Sequence, residues 1–200
     1  MSAQRRLILW LLLLAGSFLV AVGVIRLIGP PRTEGPPPSA PAGQPLPRAP
    51  DIEIRMYQGA EAVGGNVVRL SQVWARGKPV VVNFFAGLCP PCRAEMPDLQ
   101  RLADQAGDRF VLISIDVGPY TGLGTREEGQ ALLRTLGIRY PAGTVFDEDI
   151  TDTYQILGMP TTVFITADGR ILRKHAGLLT FEQMQTFAEE LIRFSPPPSR

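Results

Sequence analysis

The sequence predicts an α/β protein, a sheet with helices packed on both faces. Two apolar runs, Pro79 to Phe85 and Phe110 to Val117, have the length and composition of strands buried on both sides. Between and after them stand helix signals, among them the capping boxes Thr125-Arg126-Glu127-Glu128 and Thr180-Phe181-Glu182-Gln183. A turn sequence, Ala167-Asp168-Gly169-Arg170, joins two further short runs as a hairpin. Strands that alternate with helices and close in a hairpin define this class.

In chain order, Ile52, Ile54 and Met56 alternate with polar residues, and Val67 and Val68 follow a Gly-rich turn. This pattern predicts an amino-terminal β-hairpin extension. The strand over Pro79 to Phe85 is broken only by Asn83, and a helix runs from about Pro90 to Ala106. After the strand Phe110 to Val117, a helix opens at the first capping box and ends near Leu136. A short strand over Thr144 to Phe146 and a short helix over Asp149 to Leu157 come next. Strands over Thr162 to Thr166 and Ile171 to His175 lead to a closing helix that ends near Phe194. Its apolar residues Phe181, Met184, Phe187, Ala188, Leu191 and Ile192 recur at helical spacing, which marks a core-facing stripe.

These elements occupy residues 51–194, one domain of a 200-residue chain. Ahead of them, Leu7 to Ile25 is a run of apolar and small residues without charge. At about 1.5 Å per residue it spans roughly 28 Å as a helix, close to the thickness of a bilayer core. It is longer than a signal-peptide core and lacks a clean cleavage site, so residues 1–28 read as a signal-anchor transmembrane helix, ahead of a cleaved signal or a core helix. Residues 29–50 hold nine prolines and read as an extended linker. Residues 195–200 read as a disordered tail. The net charge of +1, with no Lys/Arg run longer than two, gives no footprint for nucleic acid.

The chain has two cysteines and one histidine, His175. That excludes a disulfide-rich scaffold and a self-contained four-ligand zinc site. Cys89-Pro90-Pro91-Cys92 lies where the buried strand gives way to the helix. A helix start offers unpaired N–H groups and positive potential, which stabilise a thiolate at Cys89. Two intervening residues in a first turn bring the sulfurs within bonding reach. Proline is tolerated there because its missing N–H had no helical partner. Read on spacing alone, the pair is an exchange dithiol, a structural disulfide or half of a metal site.

The segment Val80-Val81-Val82-Asn83-Phe84-Phe85-Ala86-Gly87-Leu88-Cys89-Pro90-Pro91-Cys92-Arg93-Ala94-Glu95-Met96-Pro97 resembles the active-site segment of TlpA/ResA-type thioredoxin-like proteins. So does Gly158-Met159-Pro160-Thr161-Thr162, which is similar to the family's cis-proline segment. The resemblance covers roughly residues 51–194. It implies a thioredoxin-like fold, a central mixed sheet flanked by helices, and thiol–disulfide exchange without a cofactor or metal. Cys89 is then the attacking thiol and Cys92 the resolving one. Pro160 is cis, with Met159 turned toward the sulfurs. Leu88, Pro90, Pro91, Met159 and Thr161 are the implied substrate contacts. Glu95, one turn beyond Cys92, is the implied active-site acid, because Asn83 stands where many thioredoxins carry a buried Asp and cannot titrate. The family usually has Trp before the first Cys, where this chain has Leu88; Phe85 and Tyr120 are further candidates to line the site.

The expected function is therefore extracytoplasmic thiol–disulfide exchange, in the direction of reducing protein disulfides, with cytochrome c maturation one possible task. The resemblance places the domain outside a bacterial cytoplasmic membrane. Its partners would be protein disulfides, a membrane thiol-transporting donor and the bilayer itself. Three alternatives keep the same fold. One is a thiol oxidase or isomerase. Another is a copper-binding chaperone, since soft thiolates select Cu(I). The third, a peroxidase, is disfavoured because peroxiredoxins carry Thr three positions before the reactive Cys and this chain has Ala86.

Overall fold

The computed structural model describes residues 45–195. The anchor expectation, most of the linker and residues 196–200 lie outside the described residues. Among the described residues, no helix is long and apolar enough to cross a membrane.

The elements run β1 (Glu53–Gln58), α1 (Ala60–Val63), β2 (Val67–Arg69), α2 (Leu70–Trp74), β3 (Val80–Phe85), α3 (Pro90–Ala106), β4 (Val111–Asp116) and α4 (Gly118–Thr121). They continue with α5 (Arg126–Thr135), β5 (Ala142–Thr144), α6 (Ile150–Thr153), β6 (Thr161–Ile165), β7 (Ile171–Ala176) and α7 (Phe181–Phe194). Seven strands form one mixed sheet in the order β2-β1-β5-β4-β3-β6-β7. β3 runs parallel to β4 and antiparallel to β6, and β4 runs parallel to β5. The hairpin β1/β2 is antiparallel and extends the sheet beyond β5.

All six residues of β3 are buried, as a strand covered on both faces must be. Its alternation divides the core in two. Val81 and Phe85 face the layer with Met96 and Leu99 of α3 and Met184 and Leu191 of α7. Val80, Val82 and Phe84 face the layer with Val73 and Trp74 of α2 and Ile150. Asn83 lies between Val81 and Phe85, so its amide points into the α3 layer. Period two therefore delivers a polar side chain beneath the helix that carries the cysteines.

Several boundaries differ from the sequence expectation. β5 falls on Ala142–Thr144 instead of Thr144–Phe146. Ala and Gly have low strand propensity, but Gly143 is where β1 comes closest: a Cβ there would stand 2.5 Å from the Arg55 carbonyl oxygen. Phe146 lies outside the strand, its ring covered by the guanidinium groups of Arg55 and Arg126 at 4.5 and 4.2 Å. The short helix ends at Thr153, and Gln155 beyond it has φ of 48°. The helix Leu70–Trp74 is absent from the sequence reading. It buries Trp74 against the hairpin turn, where Gly169 has φ of 80° and its hydrogen faces the indole.

Residues 46–50, assigned to the linker by composition, are bonded to the domain. Ile171 N–H donates to the Pro47 carbonyl at 2.8 Å, and Ala49 N–H donates to the Gly169 carbonyl at 2.9 Å. Arg170 Nη1 reaches the Leu46 carbonyl, and the Tyr154 hydroxyl reaches that of Pro50 at 2.6 Å.

Candidate active site

The loop Ala86-Gly87-Leu88 connects β3 to α3 and is held on two sides. Gly87 lies against α5, where a Cβ would come within 2.5 Å of the Glu128 backbone carbon. Leu88 N–H donates to the Leu123 carbonyl at 2.8 Å. These contacts fix Cys89 as the N-cap of α3, with Pro90 and Pro91 opening the first turn. Pro97 removes one bond inside α3, but it and Arg93, whose carbonyl is freed, are exposed to water.

Cys89 and Cys92 are joined in a disulfide, with Cα atoms 5.3 Å apart. Cys92 N–H points to Cys89 Sγ at 3.2 Å. This amide is the donor that would stabilise a thiolate on Cys89 once the bond is reduced. Cys89 borders a groove of about 350 Å³ together with Pro90, Pro91, Leu123, Leu157 and Met159. Cys92 does not line that groove and is 1% exposed. Both cysteines are buried, Cys89 at 3% exposed, and of the two only Cys89 borders the groove.

The Met159-Pro160 bond is cis, as the resemblance implied. Met159 lines the groove, whereas Thr161 does not. The Thr161 hydroxyl turns back to donate to the Gly158 carbonyl at 2.7 Å, and the residue is buried. Thr161 is therefore corrected from a substrate contact to a brace of the cis-proline turn. Phe85 is fully buried in the core. Tyr120 donates to the Val145 carbonyl, away from the groove, so neither lines the site. Leu88 is 57% exposed and packs beside Gly124 at the groove's edge. Besides Gly158 of the cis-proline segment, the groove is lined by Thr121, Leu123, Ile156 and Leu157. No motif marks them in sequence, because two separate loops bring them together.

Glu95 is 1% exposed. Its Oε1 accepts from Asn83 Nδ2 at 2.9 Å, and its Oε2 accepts from the Leu179 N–H at 2.7 Å. Burial pushes the carboxyl up to about 7, against the two donors, which favour the ionised form. A carboxyl near neutrality, one helical turn from Cys92, can accept and return a thiol proton.

A second buried acid, Asp116, escaped the sequence reading because it ends an apolar strand. Its carboxyl accepts from Gly118 N–H at 2.9 Å and from the Tyr57 hydroxyl at 3.1 Å. Burial raises it to about 6. Gly129 leaves room for it, since a Cβ there would meet the carboxyl.

A family model, that of the AhpC/TSA family, matches residues 47–174. The chain belongs to the AhpC/TSA family. Over 146 residues it is 31% identical to the thiol-disulfide oxidoreductase ResA of Oceanobacillus iheyensis, covering 72% of this chain and 70% of that one. It is 27% identical to the thioredoxin-like protein YneN of Bacillus subtilis, covering 69% and 75% of the two chains. Among solved structures, the exposed lipoprotein thioredoxin Etrx1 of Streptococcus pneumoniae superposes with a TM-score of 0.58 at 26% identity, covering 71% of this chain and all of that one. The thioredoxin domain of a thiol-disulfide oxidoreductase from Bacteroides vulgatus has a TM-score of 0.60 at 20% identity, covering 74% and 99%, and supports the fold. This AhpC/TSA member is a thioredoxin-like thiol–disulfide oxidoreductase of the ResA type. At the position where peroxiredoxins carry Thr, Ala86 is fully buried and offers no hydroxyl.

Proposed function

We propose that the enzyme reduces protein disulfides outside the cytoplasm, tethered to the membrane by residues 1–28. Cys89 is the attacking thiol. Its thiolate displaces one sulfur of the substrate disulfide and forms a mixed disulfide. Cys92 then attacks Cys89 Sγ and releases the substrate as a dithiol, while the enzyme is left oxidised. Glu95 takes the proton of Cys92 in that second step. Met159, Pro90 and Pro91 contact the substrate, and Pro160 sets the turn that presents Met159. The observation that carries this reading is the placement of the two cysteines: Cys89 borders the groove, and Cys92, outside its lining, stands one turn from a buried acid. The uncharged run Leu7 to Ile25 and the Pro-rich stretch after it support the tether. Outside the cytoplasm the reductant would come from a membrane thiol-transporting donor, and haem-attachment cysteines awaiting cytochrome c maturation are one fitting substrate.

The test is a trap. Cys92→Ala should accumulate mixed disulfides that mass spectrometry resolves to named cysteines of exported proteins. Capture through Cys92 in a Cys89→Ala variant instead would reverse the assigned roles. The direction of electron flow is read from the reduction potential. A value near about −120 mV, the strongly oxidising end for thioredoxin-like dithiols, would replace the reductase reading by an oxidase.

A further inference from the structure

Asp116 ends β4 opposite Phe85, the last residue before the active-site loop. The mechanism given above does not use it. Its carboxyl is fully buried and fills space that two glycines on different elements leave open. On α5, a Cβ at Gly129 would lie 2.6 Å from the carboxyl carbon. On α4, a Cβ at Gly118 would lie 3.1 Å from Oδ1. Glycine inside a helix lowers its stability, so the place of Gly129 in α5 has its reason in this packing.

The carboxyl joins two segments. Oδ2 accepts from the Tyr57 hydroxyl of β1 at 3.1 Å, and Oδ1 accepts from Gly118 N–H at 2.9 Å. Gly118 is buried and is the first residue of α4, so its N–H has no partner within the helix, and the carboxyl supplies one. The Gly118 carbonyl then holds the turn that follows. It accepts from Gly122 N–H, from Leu123 N–H at 3.2 Å and from the Thr121 hydroxyl at 3.3 Å. Thr121 and Leu123 both line the groove beside Cys89. Gly118 thus carries this wall of the groove on its carbonyl side and is fastened to Asp116 on its N–H side.

We infer that Asp116 is a positioning residue that, through Gly118, sets the wall of the substrate groove formed by Thr121 and Leu123. This rests on the reading that the groove beside Cys89 holds the substrate. Cys89 itself is placed by the packing of Gly87 on the α5 backbone and by the start of α3. Asp116 therefore governs how a polypeptide is held more than how fast a bound disulfide is attacked.

The experiment measures steady-state reduction of insulin by the full-length chain, with dithiothreitol recycling the enzyme. Reduction of oxidised glutathione, which covers little of the wall, is measured beside it. In Asp116→Ala, KM for insulin should rise by about fivefold while kcat stays within about twofold, on the order of one lost hydrogen bond. KM for oxidised glutathione should change less. Asp116→Asn keeps an acceptor for Gly118 N–H and turns its NH₂ to the Tyr57 oxygen, so it should return KM toward the parent value. Tyr57→Phe, which frees the other carboxyl oxygen, should raise KM by about twofold, and it carries the test should Asp116→Ala fail to fold. Hydrogen exchange over residues 118–123 should quicken in Asp116→Ala and not in Asp116→Asn. An unmoved KM in the folded variants, equal losses for both substrates, or Asp116→Asn as impaired as Asp116→Ala would overturn the inference. A parent enzyme whose rate does not saturate with insulin would instead remove the groove as the substrate site, and the inference with it.

Discussion

Glu95 on α3 and Leu179, eighty-four residues later, are joined by a 2.7 Å hydrogen bond from backbone N–H to carboxyl oxygen. With Asn83 on the other oxygen, the carboxyl is held by a strand on one side and the entrance to the last helix on the other. It is satisfied yet deeply buried, and burial dominates its titration.

That balance has a sign in stability. The folded state binds the Glu95 proton up to about pH 7, whereas an unfolded chain releases it near its ordinary value of 4.5. The stabilising contribution is present below about pH 4.5 and is lost as pH rises through 7. Asp116, raised to about 6 from 3.8, acts in the same direction. The oxidised protein should therefore unfold at lower urea at pH 8 than at pH 5. Glu95 alone contributes on the order of 3 kcal/mol. Glu95→Gln should flatten much of this slope. A denaturation midpoint independent of pH over that interval would contradict the burial assigned to the acid.

Among the described residues, the groove beside Cys89 is lined without a charged side chain, and Leu157 on its rim is 90% exposed. A Leu157→Asp substitution removes apolar contact and adds a negative charge near the attacking thiolate. We expect kcat/KM for a protein disulfide to fall by about tenfold, an effect on the order of burying half a leucine. Reduction of oxidised glutathione, which covers little of the rim, should change less. Equal losses for both substrates would mean that Leu157 does not contact the polypeptide.

Gly87 allows the active-site loop to lie on α5. A methyl there would meet backbone atoms at 2.5 to 2.6 Å, which cannot rotate away. Gly87→Ala should cost about 1–3 kcal/mol and lower Tm by several degrees. It should also displace Cys89 and slow exchange. Calorimetry paired with insulin reduction would show whether stability and rate fall together.

A chain begun at residue 51 lacks the four hydrogen bonds made by residues 46–50 and the buried Ala49. Compared with one begun at residue 45, it should be less stable by roughly 2 kcal/mol, each such bond contributing about 0.5–1.5 kcal/mol less what water recovers. Urea midpoints of the two chains decide it.

Periodicity made the strands Val80–Phe85 and Val111–Asp116 and the helices Pro90–Ala106 and Phe181–Phe194 legible, because each buries a continuous stripe or face. Leu70–Trp74 was hidden by its length, too short to show a helical repeat. β5 was misplaced because its pairing depends on the smallness of Gly143, a property that reads as a loop. At the site, Cys89 and Cys92 are marked by their spacing, and Glu95 and Pro160 by the resemblance of their segments. Asp116 became visible only when the sheet placed it, since Tyr57 lies 59 positions away.

The bond between Glu95 and Leu179 also orders events during biosynthesis. The cysteines precede Leu179 by almost half the chain's length, so a nascent polypeptide exposes its dithiol well before the residue that clasps the acid has been made. Until the turn before the final helix is in place, Glu95 lacks its Leu179 donor. Competent chemistry is thereby deferred to the last step of maturation, and a prematurely terminated product carries the cysteines without the assembled centre.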